Sequence, residues 1–256
     1  MSRIIALANQ KGGVGKTTSA INIAAYLAKM GRSVLLVDLD PQGNSSSGLG
    51  YSKSQVETSL YEVISGSQEI SSAIIHTPYN KLDLVAANNN LAGAELSLTR
   101  VPSREFVLKK IIEPLSYDYI LIDCPPSLGL LTLNGLVAAN YLLIPTQVEF
   151  YALEGLSQLL NTVKRVRSAL NPNLKLLGVV ATMYDGRMSL SSAVMAELNK
   201  HFDKMLFDTT VPRNIRLAEA PSHGKPIYAY DRFCKGAFAY KKLTKEIVKR
   251  VEHTNQ

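Results

Sequence analysis

Cysteine and histidine are scarce in this 256-residue sequence, and neither residue type forms a cluster. The two cysteines, Cys124 and Cys234, are far apart, and the four histidines are scattered along the chain. Structural zinc sites and disulfide frameworks require such residues at close and regular spacing. The sequence therefore argues against both, and it predicts a reduced, cytoplasmic protein.

Long apolar runs are also absent. No stretch approaches the roughly 20 apolar residues that a membrane-spanning helix needs, and the first residues turn polar too early for a signal peptide. Hydrophobic residues make up 46% of the sequence and charged residues 19%, which is typical of a folded globular protein. Because no linker, repeat or low-complexity tract interrupts the chain, we expect residues 1–256 to form a single domain.

The net charge of +7 is distributed unevenly. Residues 1–160 contain 11 Lys+Arg and 13 Asp+Glu, a balance of −2, whereas residues 161–256 contain 17 and 8, a balance of +9. A basic C-terminal part favours a polyanionic partner, either nucleic acid or an anionic membrane surface. Charge alone supports a second interpretation equally well, in which the basic side chains only keep helix surfaces solvated.

Short apolar runs alternate with longer amphipathic stretches, which predicts an α/β protein with a mostly parallel, twisted sheet. Several runs are apolar at every position, as expected for strands covered by helices on both faces. The predicted strands are residues 4–8, 34–38, 82–86, 119–123, 141–145, 176–181 and 204–207. The predicted helices are residues 17–30, 103–112, 152–170, 189–201 and 236–251. Residues 42–50, rich in Ser, Gly and Asn, are predicted to form a functional loop after the second strand.

A glycine-rich segment, Asn-Gln-Lys-Gly-Gly-Val-Gly-Lys-Thr-Thr at residues 9–18, follows the first predicted strand and opens the first predicted helix. This context predicts a phosphate-binding P-loop, because glycines let successive backbone N–H groups surround phosphate oxygens at a helix N-terminus. We expect Lys16 to reach the β- and γ-phosphates and the Thr17 hydroxyl to bind Mg²⁺. The loop departs from the usual P-loop pattern, since residue 10 is glutamine and a second lysine, Lys11, follows it.

Three aspartates stand at the ends of predicted strands. Asp123 ends a fully apolar strand, as does a magnesium-contacting Walker B aspartate, and Asp38 and Asp40 end the second strand. Parallel sheets bind ligands outside the carboxyl ends of their strands, so we expect the three carboxylates to converge beside the P-loop. Asp38 could instead satisfy loop amides or support the metal indirectly.

Residues 11–17 resemble the deviant Walker A motif of the ParA/MinD ATPases. The segments 9–18, 38–44 and 123–127 are similar to the ParA/Soj chromosome- and plasmid-partition branch of that family, and residues 211–226 are similar to its C-terminal motif. The matches run from residue 3 to about residue 226. The resemblance implies a single-domain P-loop ATPase that uses ATP and Mg²⁺ and hydrolyses ATP to ADP and phosphate.

The resemblance also implies roles for individual residues. Lys11 would reach across an ATP-dependent homodimer to the partner subunit's phosphates, and Gly12 would lie where the two loops meet. Asp40 would position the attacking water, while Thr17, Asp40 and Asp123 would support the metal. The residues expected to bind the nucleotide are Lys11, Gly12, Gly13, Val14, Gly15, Lys16, Thr17, Thr18, Pro212, Arg213 and Asn214.

In the partition branch, the ATP dimer binds double-stranded DNA without sequence preference, and a ParB-type protein stimulates hydrolysis. By resemblance, Arg187 and Arg216 are the best candidates for DNA contacts. The further candidates lie in the C-terminal helical region and are Lys235, Lys241, Lys242 and Lys245. Phosphate contacts need only well-placed cations, so no base-reading motif is expected. This reading implies a cytoplasmic protein that associates with the nucleoid.

The rival interpretation is a MinD-like positioning ATPase that binds membranes through a C-terminal amphipathic helix. Leu243, Ile247 and Val251 form one apolar stripe, but a helix packed on its own core has the same pattern, and we predict the packed helix and no stable membrane anchor. An iron–sulfur reductase would need paired cluster cysteines. An operator-binding regulator would need a helix-turn-helix domain, for which the start of the first strand at residue 3 leaves no expected room.

Overall fold

The computed structural model describes residues 2–149 and 152–253 of the chain. Within these residues, seven strands form one sheet: β1 (Arg3–Leu7), β2 (Val34–Asp38), β3 (Ile74–His76), β4 (Leu82–Val85), β5 (Tyr119–Asp123), β6 (Tyr141–Gln147) and β7 (Lys175–Thr182). The strand order is β3-β4-β2-β5-β1-β6-β7, and only the β3–β4 pair is antiparallel. The carboxyl ends of the six parallel strands therefore meet at one edge of the sheet.

Helices connect the strands and cover the sheet. They are α1 (Lys16–Lys29), α2 (Asn44–Gly48), α3 (Leu60–Ile64), α4 (Ile70–Ala73), α5 (Leu91–Leu98), α6 (Val107–Ile112), α7 (Leu130–Ala138), α8 (Ala152–Ala169), α9 (Ser189–Phe202), α10 (Ile215–Glu219), α11 (Ile227–Tyr230) and α12 (Lys235–His253). Three 3-10 turns occur at Arg104–Phe106, Asp203–Met205 and Ala220–His223.

Alternate residues of the strands enter two separate hydrophobic cores. In β5, Tyr119 and Leu121 pack with α1, α11 and α12, whereas Ile120 and Ile122 pack on the opposite face with α5 to α9. Successive side chains of a strand point to opposite faces, so a strand buried on both faces must be apolar throughout. This is the predicted fold class, a mostly parallel sheet flanked by helices on both faces.

The predicted strand at residues 204–207 is wrong. Asp203–Met205 forms a 3-10 turn, and Leu206 makes only an isolated bridge to Val179. Leu206 and Phe207 are buried. An apolar run therefore stands at this place in the sequence, although the backbone does not form a strand. The other six predicted strands are present, with ends shifted by no more than two residues. The sequence reading missed β3, a three-residue edge strand that is too short to show a period.

The five predicted helices are present, although the one predicted at 103–112 begins with a 3-10 turn and becomes α-helical at Val107. Residues 42–50 were predicted as a loop but contain the five-residue helix α2. The other missed α-helices have four to nine residues, which is too short for a clear helical period. The missed helix α7 reads Leu-Leu-Thr-Leu-Asn-Gly-Leu-Val-Ala and is largely buried, so it lacks the polar face of an amphipathic helix.

Candidate nucleotide-binding site

The glycine-rich loop joins the end of β1 to the start of α1. Gly13 and Gly15 have φ values of +74° and +85°, which glycine adopts without the steric cost that a Cβ atom brings. The buried Asn9 anchors the loop, because its side-chain nitrogen donates to the Pro145 carbonyl at 2.8 Å and its side-chain oxygen accepts from the Lys11 backbone N–H at 3.0 Å. The loop therefore has the strand–loop–helix form that the sequence predicted.

Lys16 is the first residue of α1, and its side chain is buried in the loop. Its Nζ atom donates a hydrogen bond to the Lys11 carbonyl at 3.1 Å. Burial lowers the pKa of Lys16, and the nearby carboxylates of Asp123 and Asp40 oppose that shift. An ammonium group inside a glycine-rich loop and close to two carboxylates is well placed to hold the phosphates of a nucleotide.

The three strand-end carboxylates converge beside the loop, as predicted. Asp38 and Asp123 are the last residues of β2 and β5 and are direct partners in the parallel register. Both are fully buried, and Asp40 is only 7% exposed. Burial raises the pKa of Asp38 and of Asp123, and the charge of Asp123 raises that of Asp38 further. The site therefore concentrates negative charge that a cation would neutralise.

The two carboxylate oxygens of Asp123 differ in their hydrogen bonding. Its Oδ2 atom accepts from the Ser45 hydroxyl at 2.8 Å, while its Oδ1 atom is buried and has no hydrogen-bond donor among the described residues. The Thr17 hydroxyl lies near enough to lower the pKa of this carboxyl. A carboxylate and a hydroxyl are the hard oxygen groups that Mg²⁺ prefers.

These oxygen atoms fit a magnesium ion that is held jointly by protein and nucleotide. In the described part of the chain, no three His, Cys, Asp or Glu residues form a metal-binding cluster. Mg²⁺ in nucleotide sites usually takes one or two protein ligands and completes its shell with phosphates and water. The residues around Asp123 therefore fit a metal that arrives with the nucleotide.

A cavity of about 200 Å³ opens beside the loop, and the predicted base-flanking residues line it. Pro212, Arg213 and Asn214 line the cavity together with Gly15 and Thr18. The Oδ1 atom of Asn214 is buried without a hydrogen-bond donor among the described residues. An apolar cavity with one free acceptor next to a phosphate loop suits an adenine base.

A larger cleft of about 560 Å³ lies at the opposite edge of the sheet. It is lined by Arg167, Lys175, Lys204 and Arg250, together with apolar side chains at the start of β6 and β7. No residue of the glycine-rich loop or of the carboxylate group contributes to it. Ligands of open parallel sheets bind at the carboxyl ends of the strands, so the smaller cavity is the better nucleotide site.

The second lysine of the loop, Lys11, has a partly exposed side chain, in contrast to the buried Lys16. Its Nζ atom forms an ion pair with Oε1 of Glu149, and the two side chains are 43% and 29% exposed. Glu149 lies just beyond the end of β6. Lys11 is therefore at the surface of the loop, where it is held within its own chain.

The candidate DNA-binding cations are exposed, and two of them are ion-paired. Arg187 forms two hydrogen bonds with the Asp185 carboxylate, at 2.9 and 2.7 Å, and these hydrogen bonds lower the pKa of Asp185 to about 2. Arg216 pairs with Glu219 at 2.9 Å and with Asp231 at 3.5 Å. The remaining candidates are exposed on α12: Lys235, Lys241, Lys242 and Lys245.

The apolar stripe of α12 is packed on the protein, as predicted. Leu243, Ile247 and Val251 are all 0% exposed and belong to the same core as α1. The Ser19 and Tyr240 hydroxyls share a hydrogen bond of 3.0 Å across the two helices. Within the described residues, no helix is long and apolar enough to span a bilayer.

The sequence analysis did not identify three polar residues of the site. Ser45 and Ser46 bind the buried carboxylates of Asp123 and Asp38, and Glu149 holds Lys11. Ser45 lies 78 residues from its partner along the chain, so no local pattern links them. The serine-rich composition of residues 42–50, placed directly after a strand end, was the available signal.

Together, the sheet, the glycine-rich loop and the strand-end carboxylates define a P-loop nucleoside triphosphatase. Residues 2–176 match a protein family described as "AAA domain". The protein is also 51% identical over 249 residues to the sporulation initiation inhibitor protein Soj of Bacillus subtilis, which covers 96% of this chain and 98% of Soj. It is 48% identical over 252 residues to the chromosome partitioning protein ParA of Caulobacter vibrioides, covering 97% and 94% of the two chains. The chain belongs to the ParA/Soj family of chromosome-partitioning ATPases, within the wider ParA/MinD group.

A solved structure with the same fold contains both a nucleotide and a metal. The crystal structure of cobyrinic acid a,c-diamide synthase from Mycobacterium smegmatis with bound ADP and magnesium has a TM-score of 0.88 to this chain. The two sequences are 38% identical, and the match covers 99% of this chain and 97% of the other. The fold therefore holds a nucleotide with magnesium in a relative of similar length.

Proposed function

We propose that this protein is a partitioning ATPase that dimerises on ATP, binds DNA without sequence preference and hydrolyses ATP when a ParB-type protein stimulates it. Its cofactors are ATP and Mg²⁺. The observation that carries the proposal is a glycine-rich loop with two lysines in different positions. Lys16 is buried beside the carboxylates, and Lys11 is at the surface, where a second subunit can be reached.

The phosphate end of the site is built by α1 and the glycine-rich loop. Lys16 and the backbone N–H groups of the loop bind the phosphates, and the Thr17 hydroxyl and the Asp123 carboxylate hold the metal. When bound, Mg²⁺ neutralises charge on the β- and γ-phosphate oxygens. The unused Oδ1 atom of Asp123 supports this assignment, because a buried carboxylate oxygen without a donor is costly unless a ligand occupies it.

Asp40 orients the attacking water. Its Oδ1 atom accepts from the Gln42 backbone N–H at 2.9 Å, which fixes the carboxylate at the end of β2. It is buried and lies close enough to Lys16 to affect the pKa of that lysine. A carboxylate at this place holds a water molecule in line with the γ-phosphate, where positioning provides most of the rate enhancement.

The ATP-bound form is a homodimer in which Lys11 reaches the partner subunit's phosphates. A cation supplied from the second subunit stabilises negative charge that redistributes in the transition state. A Cβ atom added at Gly12 would meet nothing within 4 Å in the isolated chain. Contacts within one subunit therefore give no reason for glycine at this position, which supports a close approach by a second copy.

DNA is bound by exposed cations of the C-terminal part. Arg187 and Arg216 provide the main phosphate contacts, and Lys235, Lys241, Lys242 and Lys245 on α12 extend the basic surface. All six residues lie in the part of the chain with a charge balance of +9. Binding to phosphates alone explains a lack of sequence preference. The protein consequently associates with the nucleoid, and residues 1–256 act as one ATPase domain.

The deciding experiment measures binding to a random-sequence DNA duplex with ATP, with ADP and without nucleotide, at two salt concentrations. Vesicles of anionic phospholipid are tested in parallel. We expect DNA binding that requires ATP and weakens with salt, without recruitment to the vesicles. Vesicle binding without DNA binding would instead favour the MinD-like alternative.

The Lys16→Ala variant is the control for the nucleotide site. It removes the ammonium group that binds the phosphates, so ATP affinity, dimerisation and DNA binding should all be lost together. A variant that keeps tight ATP binding would contradict the proposed role of Lys16.

A further inference from the structure

Three consecutive serines of α2 differ sharply in their surroundings. Ser45 and Ser46 are 0% exposed, whereas Ser47 is exposed and donates only to backbone carbonyls of its own turn, Gly43 and Asn44. Buried hydroxyl groups need hydrogen-bond partners. The partners of the first two serines are carboxylates at the ends of the neighbouring strands β5 and β2.

Ser45 fixes one oxygen of Asp123. The Ser45 hydroxyl donates to Oδ2 at 2.8 Å, and Oδ1 is left without a donor among the described residues. A hydrogen bond to a charged acceptor is shorter and stronger than a neutral one. The hydroxyl therefore sets the rotation of the carboxylate and leaves Oδ1 available to a ligand.

Ser46 fixes the neighbouring carboxylate in the same manner. Its backbone N–H and its hydroxyl donate to Oδ2 of Asp38 at 2.8 and 2.7 Å, and its Oγ atom accepts from the Ala87 N–H at 3.0 Å. The other oxygen of Asp38 accepts from the Asp40 N–H at 3.3 Å. Ser46 thus connects the end of β4 to the backbone of the residue proposed to orient the attacking water.

We propose that Ser45 and Ser46 are positioning residues for the ATPase reaction, one for each of two adjacent strand-end carboxylates. Ser45 orients Asp123 toward the metal, and Ser46 holds Asp40 through Asp38. Neither serine touches the nucleotide in this assignment. The inference rests on the proposed nucleotide and magnesium site, and it assigns different defects to two neighbouring residues.

The Ser45→Ala variant tests the first role by a magnesium titration of nucleotide binding. A fluorescent, non-hydrolysable ATP analogue is the probe, so the readout does not depend on turnover. We expect the magnesium concentration at half effect to rise by about tenfold, as for the loss of other groups that orient metal ligands, while affinity without magnesium stays the same. The exposed neighbour provides the control, since Ser47→Ala should match the unmodified protein.

The Ser46→Ala variant tests the second role by steady-state kinetics. We expect kcat to fall by about tenfold or more, with KM for ATP unchanged and a smaller shift of the magnesium midpoint than in Ser45→Ala, because the defect lies in the positioning of Asp40. A Ser46→Cys variant keeps the side-chain shape with a slightly larger atom and donates only weakly, so it should show the same defect without leaving a cavity.

An unshifted magnesium midpoint in Ser45→Ala, or an equal shift in Ser47→Ala, would overturn the role of Ser45. If Ser45→Ala does not fold, Ser45→Cys is titrated in its place with the same expectation. An unchanged kcat in Ser46→Ala would overturn the role of Ser46. If the unmodified protein shows no magnesium-dependent gain in nucleotide affinity, the proposed function fails together with this inference.

Discussion

Asn214 lines the base cavity, and the oxygen of its side-chain amide lacks a hydrogen-bond partner in the described part of the chain. Its buried Oδ1 atom has no donor among the described residues, and an unmade hydrogen bond in a buried place is costly. The adenine ring has an amino group that donates, whereas guanine has a carbonyl oxygen at the same position. We therefore expect this oxygen to accept from the adenine amino group, and ATP to bind more tightly than GTP.

We predict that Asn214→Ala lowers ATP affinity by about fivefold, equivalent to the roughly 1 kcal/mol of one hydrogen bond. Affinity for GTP and for inorganic tripolyphosphate should not change. Competition of each ligand against a fluorescent nucleotide measures all three. An equal loss for ATP and tripolyphosphate would place the defect in the phosphate site and contradict the role of Asn214.

Residues of the phosphate site could be predicted where the signal is local. Lys16 and Thr17 lie within one glycine-rich segment, and Asp123 ends an apolar run. The position of each residue in the fold could therefore be predicted from its neighbours in the sequence. Ser45 and Glu149 could not be predicted, because each acquires its role only from a partner that the fold brings close from a distant part of the chain.

Among the secondary-structure elements, the long parallel strands could be predicted from the sequence, whereas the short edge strand could not. The strands β2 and β5 are buried on both faces and read as continuous apolar runs. The edge strand β3 has three residues, two half-buried and one exposed. Its sequence therefore does not form a continuous apolar run. The predicted strand at residues 204–207 contains a short apolar run, residues 205–207, but no strand forms. Side-chain burial does not require a full ladder of backbone hydrogen bonds.

We expect the packing of α12 to contribute more to the free energy of unfolding than its surface charge does. Leu243 is fully buried between α12 and the core shared with α1. We predict that Leu243→Ala lowers the free energy of unfolding by about 2–5 kcal/mol, through lost burial and the cavity that remains. The exposed neighbour Lys242→Ala should change it by less than about 0.5 kcal/mol.

Urea unfolding measures both α12 variants. An unchanged stability in Leu243→Ala would mean that α12 is not held by its apolar stripe. The stripe would then be available to a membrane, which is the arrangement that the MinD-like alternative requires.

The turn before β5 is held by the Asp118 carboxylate, whose charge depends on pH. The Asp118 carboxylate accepts from the Ser33 backbone N–H at 2.8 Å and from the Ser33 hydroxyl at 3.1 Å. The backbone hydrogen bond is the main cause of a lowered pKa for Asp118, and Arg32 and Arg3 contribute to it. Because the folded-state pKa is below the ordinary value near 4, charged Asp118 stabilises the folded state at neutral pH.

We predict that Asp118→Asn lowers the free energy of unfolding at pH 7 by about 1 kcal/mol, since the amide oxygen still accepts but has no charge. The difference should disappear as the pH falls through the lowered pKa, where the original carboxyl is itself protonated. Urea titrations at pH 7 and at a series of pH values below about 4 measure this effect. A difference that does not shrink across this acidic series would show that the charge is not the cause.

At the scale of the whole molecule, charge separates the two halves of the chain. The N-terminal 160 residues contain the glycine-rich loop and have a charge balance of −2, whereas the remaining residues have a charge balance of +9. The cavity beside the glycine-rich loop is lined from both parts, by Gly15 and Thr18 and by Pro212 to Asn214. We therefore expect bound ATP to act on the basic part of the chain through the residues of this cavity.

We predict that Arg216→Glu weakens DNA binding and reduces the slope of log affinity against log salt by at least about 1, because phosphate contacts are lost. ATP-dependent dimerisation, followed by light scattering, should be unchanged. The charge-matched control is Arg100→Glu, an exposed arginine in the N-terminal half. An unaltered salt slope in Arg216→Glu would remove this residue from the DNA surface.

The position of β1 in the sheet has a consequence for synthesis of the protein. This strand is made first, yet its two neighbours are β5 and β6, which begin at residues 119 and 141. The earliest strands that can pair with each other are β2, β3 and β4. Parallel pairing at such sequence separation is slow, because the intervening chain must be ordered first. The ribosome must therefore reach at least residue 123, where β5 ends, before β1 and the glycine-rich loop gain their first strand partner. Residues 212–214, which line the cavity beside the loop, are made later still.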